Sequence, residues 1–304
     1  MSNFIPITRT RKINYNPKKY IRLHRAEYAH SIVKKKSFTE NSYYPDSKEL
    51  IKKLAKFYKV KDDNITLGLG SESLIKDLIL LHYLKNKKRI SLSSQPNFFM
   101  YELYLSIFNY KKNYFAINPI KKEIDEKLII NKLKKDNINL LILVNPSHPF
   151  EKFWKLKEIK KILKFCKKKK ITLIFDEVYQ GLGSPSYLNL IKKFDNFIIL
   201  KSLSKTFGLP GIRVGYAIAS KKTNREISTL RLSHELPQNS ISKSIKFLNK
   251  YNSFSKKVVK NIKKARRFAT VEFKKRNLRV FGKYGNSVTV YFDNLRLLRK
   301  IILL

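Results

Sequence analysis

The segment FIILKSLSKTFGLPGIRVGY, residues 197–216, sets a short apolar run ahead of a lysine flanked by serines and glycines. An apolar run this short, ended by hydroxyl residues, reads as a buried strand that delivers its loop to one end of a sheet. Lys205 follows Ser202 and Ser204 and precedes Gly208, Gly211, Arg213 and Gly215. Glycine lets backbone approach a ligand closely, and serine with arginine suits an anion. The chain holds 66 Lys and Arg in 304 residues, so the frame around Lys205, not its charge, carries the information.

Similar runs recur outward from this segment: NITLGLG (64–70), RISLSS (89–94), LLILVNP (140–146) and ITLIFDE (171–177). Helical apolar spacing fills the intervals 71–85, 97–109, 122–136 and 155–169. This alternation predicts an α/β fold, a mostly parallel sheet between two helical layers. SKELIKKLAKFYKV (47–60) predicts a helix capped by Ser47. Beyond about residue 222 the chain becomes helical and lysine-rich to about 275, and NSVTVYF (286–292) reads as a strand. The predicted division is an N-terminal arm (1–42), a cofactor-binding large domain (43–222) and a small C-terminal α+β domain (223–304).

Composition narrows the function. One cysteine, Cys166, cannot form an internal disulfide, and the basic N-terminus lacks the apolar core of a secretory signal. No run approaches the roughly 18 apolar residues of a membrane helix, so a cytoplasmic protein with no membrane partner is expected. The net charge of +44 is spread over almost every segment, with no zinc-finger, RRM or KH signature. A generally basic surface without a dedicated nucleic-acid site is therefore expected. No metal site is expected either.

In open α/β sheets ligands sit at the carboxyl ends of the strands. Gly70, Ser71 and Glu72 follow the first run, His148 follows LLILVNP, Asp176 and Tyr179 follow ITLIFDE, and Lys205 follows FIIL. A lysine can attach an aldehyde as a Schiff base. A strand-end carboxylate can keep an aromatic ring nitrogen protonated. GLGSES (68–73) puts a glycine turn at a helix N-terminus, where free amides favour a phosphate. Together with Ser202, Ser204 and Arg213, this set matches pyridoxal 5′-phosphate.

The lysine segment resembles that of the class I/II aminotransferases, the aspartate-aminotransferase-like fold (type I among pyridoxal-phosphate enzymes). DEVY (176–179) resembles their ring-nitrogen motif. YYPD (43–46), GLGSES and QPNFFMY (95–101) follow the order of the histidinol-phosphate aminotransferase branch. The resemblance spans roughly residues 20 to 292. It implies an enzyme that transfers an amino group between an amino acid, or an amino-acid-derived phosphate, and a 2-oxo acid. Lys205 would carry the cofactor and later move the substrate proton. Asp176 would pair with the ring nitrogen, Tyr179 with the ring hydroxyl, and Phe98 would stack on the ring. Ser71, Ser202, Ser204 and Arg213, with backbone of Gly70, Ser71 and Glu72, would hold the phosphate. Tyr44 would reach the phosphate of a neighbouring subunit, which implies a homodimer.

Two departures stand out. The family's Asn-Pro-x-Asn-Pro-Thr-Gly appears as NPSHPFE, so His148 replaces an asparagine that donates to the ring hydroxyl. The family also continues beyond the strand resembling NSVTVYF to an arginine that grips the substrate carboxylate. Here LRLLRKIILL (295–304) follows, so a shortened or divergent small domain is expected, with carboxylate recognition that is weak or comes from a different residue. A decarboxylase of the same fold, or a cofactor-binding chain without turnover, are the alternatives. Tyr101, Trp154 and Cys166 are expected to serve packing.

Overall fold

The computed structural model describes residues 45–117, 126–148, 150, 153–281 and 285–292. Its chain order begins with α1 (Lys48–Tyr58), β1 (Ile65–Leu69), α2 (Gly70–Lys85), β2 (Ile90–Gln95), α3 (Phe99–Ile107) and β3 (Lys111–Ala116). Next come α4 (Glu126–Lys135), β4 (Leu140–Val144), α5 (Leu156–Lys168), β5 (Thr172–Asp176), β6 (Phe197–Ser202) and β7 (Val214–Ile218). Then follow α6 (Lys221–Ser228), α7 (Gln238–Asn249), α8 (Tyr251–Lys275), β8 (Arg279–Phe281) and β9 (Thr289–Tyr291).

Seven strands form one sheet in the order β1-β7-β6-β5-β4-β2-β3, and β8 and β9 pair separately as an antiparallel ribbon. The pairs from β3 through β6 are parallel, and β7 runs antiparallel to both its neighbours. Hence β7 alone points the other way, and β1 regains the common direction. This reversal puts the start of β7 beside the ends of β1 and β6, with Val214 opposite Leu69 and Gly215 opposite Ser202.

Side chains of successive strand residues point to opposite faces, and the core divides accordingly. Leu141, Leu143, Leu173, Phe175, Phe197 and Ile199 pack on one face against α1, α4, α5 and α7. Leu140, Ile142, Ile174, Ile198, Leu200 and Ala217 pack on the other against α2, α3 and α6. The expected three-layer α/β/α arrangement is therefore present. Each fully buried Leu or Ile contributes about 2 kcal/mol from removal of apolar surface, and Leu54→Ala in α1 would cost about 3 kcal/mol. Leu236, Ile241 and Phe247, from the stretch beyond residue 222, share the first of these cores.

Three local differences from the sequence reading have physical causes. Ser47 sits in αR geometry and makes no side-chain cap; the Asp46 carboxylate accepts from the Lys48 amide instead. β3, KKNYFA, is an edge strand whose lysines give it no apolar run. β7, VGYAI, hides within the lysine segment because its turn residues read as loop.

Candidate active site

The ends of β1, β4, β5 and β6 and the start of β7 meet at one edge of the sheet. Gly70, at φ +74°, turns the chain from β1 straight into α2 and donates its amide to the Arg213 carbonyl at 2.8 Å. Arg213 itself holds left-handed backbone, φ 52°. Its exposed guanidinium lies so close that a Cβ on Gly70 would stand 2.6 Å from one terminal nitrogen. A Cβ on Gly215 would lie 2.3 Å from the Gly70 carbonyl carbon and the Ser71 amide nitrogen. Both glycines are thus demanded by close approach. The first amides of α2 and one guanidinium converge on a cradle for an anion.

Ser202 and Ser204 are buried beside this cradle, and the Ser204 amide donates to Ser202 Oγ at 3.0 Å. Lys205 follows in the loop, its backbone carbonyl accepting from the Gly208 amide. The lysine Nζ lies 5.6 Å from the centre of the Tyr179 ring. His148 stacks on that ring's plane, with centroids 5.3 Å apart and an interplanar angle of 9°. Burial, and secondarily the Lys205 charge, lower the pKa of His148 below the usual imidazole value. Its loop is anchored by Asn145, whose amide donates to the Asp176 carbonyl at 2.7 Å and whose side chain donates to the Pro185 carbonyl at 2.8 Å.

Asp176 closes β5 and is 4% exposed. One carboxylate oxygen accepts from the Val178 amide at 3.0 Å and the other from the Tyr101 hydroxyl at 2.8 Å. Burial pushes its pKa up to about 6, against the pull of these two bonds and of Lys205. Phe98, half exposed, precedes α3 and meets the Tyr101 ring edge-on at 6.5 Å. Tyr101 is in the core, as the sequence suggests, yet its hydroxyl is also the polar partner of Asp176. Nothing in the local sequence marks that bond, because the two residues lie 75 positions apart.

Glu177 points to the opposite face. It forms an ion pair with Lys201 at 2.7 Å, both side chains being buried, and accepts from Ser186 Oγ and the Tyr187 amide. Lys201 also donates to Gln180 and lies 5.1 Å from the Tyr58 ring. This pair was missed by the sequence reading, since a buried lysine in so basic a chain looks like any other.

Gly70, Ser71, Glu72, Phe98, His148, Asp176, Tyr179, Ser202, Ser204, Lys205 and Arg213 thus lie on strand-end loops or helix starts along this edge. Tyr44 falls outside the described residues, as do 1–44 and 293–304. The cradle at Gly70, the buried carboxylate and the lysine beside Tyr179 fit a phosphate ester carried on a protonatable aromatic aldehyde. Among the described residues no group of His, Cys, Asp and Glu could hold a metal ion, and no helix is long and apolar enough to cross a membrane.

Comparison with known proteins gives the family. The family model described as aminotransferase class I and II matches residues 18–299. A histidinol-phosphate aminotransferase of Campylobacter jejuni (strain 81116) is 27% identical over 307 residues, covering 92% of this chain and 83% of the relative. The crystal structure of the histidinol-phosphate aminotransferase from Clostridium acetobutylicum matches with TM-score 0.75 and 24% identity, over 86% of this chain and 78% of that one. The enzyme of the same name from Sinorhizobium meliloti, solved in complex with pyridoxal-5′-phosphate, matches with TM-score 0.72 and 18% identity, over 83% and 68% of the two chains.

Proposed function

Because the chain belongs to the class I and II aminotransferases, we propose that Lys205, Asp176 and Tyr179 carry a pyridoxal-phosphate-dependent amino transfer whose amine is histidinol phosphate. The chain is an enzyme of the transaminase class with pyridoxal 5′-phosphate as cofactor, acting on an amino donor and a 2-oxo acid. The single observation that carries the residue assignment is the convergence of Lys205, the buried Asp176 and the Gly70–Arg213 cradle at one sheet edge.

When bound, the cofactor supplies an electron sink for the carbon that loses a proton. The protein's residues do the rest. Lys205 offers the primary amine that binds the aldehyde covalently. The same amine, once freed, would be the base that moves the proton of the substrate carbon. Asp176 would hold a proton on the ring nitrogen, where an ionised carboxylate is favoured by an opposite charge. Tyr179 and His148 donate toward the ring hydroxyl, and His148 takes the place of the family's asparagine. Phe98 would cover one face of the ring and keep water from it. Ser71, Ser202, Ser204, Arg213 and the first amides of α2 grip the phosphate.

The finer organisation belongs to the same reading. Residues 43–222 form the cofactor-binding unit, with α6 and α7 packed on its two cores, and the small unit lies within 223–304. Two chains associate, with Tyr44 reaching the neighbour's phosphate, and the enzyme works in the cytoplasm. The curated relatives are named aminotransferases, which speaks against the decarboxylase and the inactive-chain alternatives.

The test uses the purified 304-residue chain reconstituted with pyridoxal phosphate. Histidinol phosphate and 2-oxoglutarate should give glutamate, and histidinol lacking the phosphate should give far less. Glutamate formed equally well from aromatic amino acids alone would reject the substrate assignment. Carbon dioxide released from an amino-acid phosphate that keeps its carboxylate, without amino transfer, would reject the reaction class.

A further inference from the structure

We infer that Tyr101 is a positioning residue that fixes the Asp176 carboxylate in the plane and ionisation state needed at the cofactor's ring nitrogen. The inference rests on the proposed role of Asp176. Tyr101 is fully buried, and its hydroxyl donates to one Asp176 oxygen at 2.8 Å. The Val178 amide donates to the other oxygen at 3.0 Å. One bond comes from α3 and one from the turn after β5, so the two approach from different elements and leave the carboxylate no free rotation. A carboxylate can accept about four hydrogen bonds, so capacity remains for a third donor.

The electrostatics agree. Burial and the neighbouring Glu177 disfavour the charged form of Asp176, while the Tyr101 and Val178 bonds and the Lys205 charge favour it. Burial and the Asp176 charge hold the Tyr101 hydroxyl well above the usual phenol range, so it stays a donor at every working pH. Phe98 stands three positions earlier, its ring edge-on to Tyr101. The start of one helix therefore presents both the aromatic cover for the ring and the clamp on the ring's acid.

The test compares binding of pyridoxal phosphate with that of its 1-deaza analogue, which keeps the aldehyde and phosphate but has CH in place of the ring nitrogen. Dissociation constants are measured by spectroscopic titration of the full chain, with no turnover required. The parent should prefer the natural cofactor, and Asp176→Asn should abolish the preference. Tyr101→Phe removes one oxygen atom and should cut the preference about tenfold, as expected for a bond to a charged acceptor. In the Asp176→Asn background the same change should do nothing further. A preference unchanged by Tyr101→Phe, or a loss equal in both backgrounds, overturns the inference and leaves the role of Asp176 standing. A parent without any preference overturns both.

Discussion

Asp176 and Glu177 are adjacent buried carboxylates at the end of one strand, and they point to opposite faces of the sheet. On the α1 side, Glu177 is closed off: Lys201, Ser186 and the Tyr187 amide all serve it. On the α3 side, Asp176 has one donor per oxygen and keeps a raised pKa of about 6. A buried charge is tolerated when it is fully paired, and costs stability when it is not. The closed face thus acts as structure, whereas the underserved face retains an electrostatic demand that a cationic ring can meet.

The sharpest test of this contrast exchanges the two lysines. Lys205→Ala should lose the visible, borohydride-reducible band and lower turnover by about four powers of ten or more. Lys201→Met should keep the band yet destabilise the fold by about 3–5 kcal/mol in urea titration, because Glu177 is left buried and unpaired. If Lys201→Met abolishes the band instead, the two faces are not functionally separate.

Asp176→Asn should lower turnover by about a hundredfold while stabilising the cofactor-free chain at pH 7 by about 1–2 kcal/mol. The sign follows from the raised pKa. Between about pH 4 and pH 6 the folded state binds more protons at Asp176 than the unfolded state, so parent stability falls as pH rises through that window. A cofactor-free variant less stable than the parent at pH 7 would count against the demand. Gly215→Ala should cost about 1–3 kcal/mol and weaken cofactor affinity, since its Cβ meets backbone rather than a movable side chain. Melting curves with and without cofactor separate the two effects.

The smallest effect concerns His148. Its lowered pKa keeps the ring neutral near pH 7, and acid adds a cation beside Lys205. The folded chain binds fewer protons there than the unfolded one, so this contribution to stability is lost as pH falls below about 6.5. His148→Asn should flatten the acid limb of cofactor affinity by a few-fold. An unchanged limb would separate His148 from the cofactor's surroundings.

The apolar runs ended by polar or glycine turns located β1, β2, β4, β5 and β6 in the sequence, because both faces of those strands are buried. The lysine segment with DEVY located the site. What stayed illegible depends on distant partners. Tyr101 looks like any core aromatic until α3 is laid against β5. Lys201 looks like any lysine until β6 pairs with β5. β7 escapes notice because its glycine and tyrosine answer to contacts with α2 and with Tyr58, not to a strand pattern.

The reversed strand β7 also sets a timetable. Among the described residues β1 pairs only with β7, Ile65 opposite Ile218, so within these the phosphate turn gains its partner strand once residue 218 has been made. At roughly 5–20 residues per second, the 149 residues between Leu69 and Ile218 take about 7–30 s to synthesise. Throughout that interval β1 presents an unpaired strand edge, the kind that templates association between chains. The architecture that brings the anion cradle to the lysine therefore makes the cradle the last part of the seven-stranded sheet to form, and an abundance of cofactor can act on this chain only after β7 has docked.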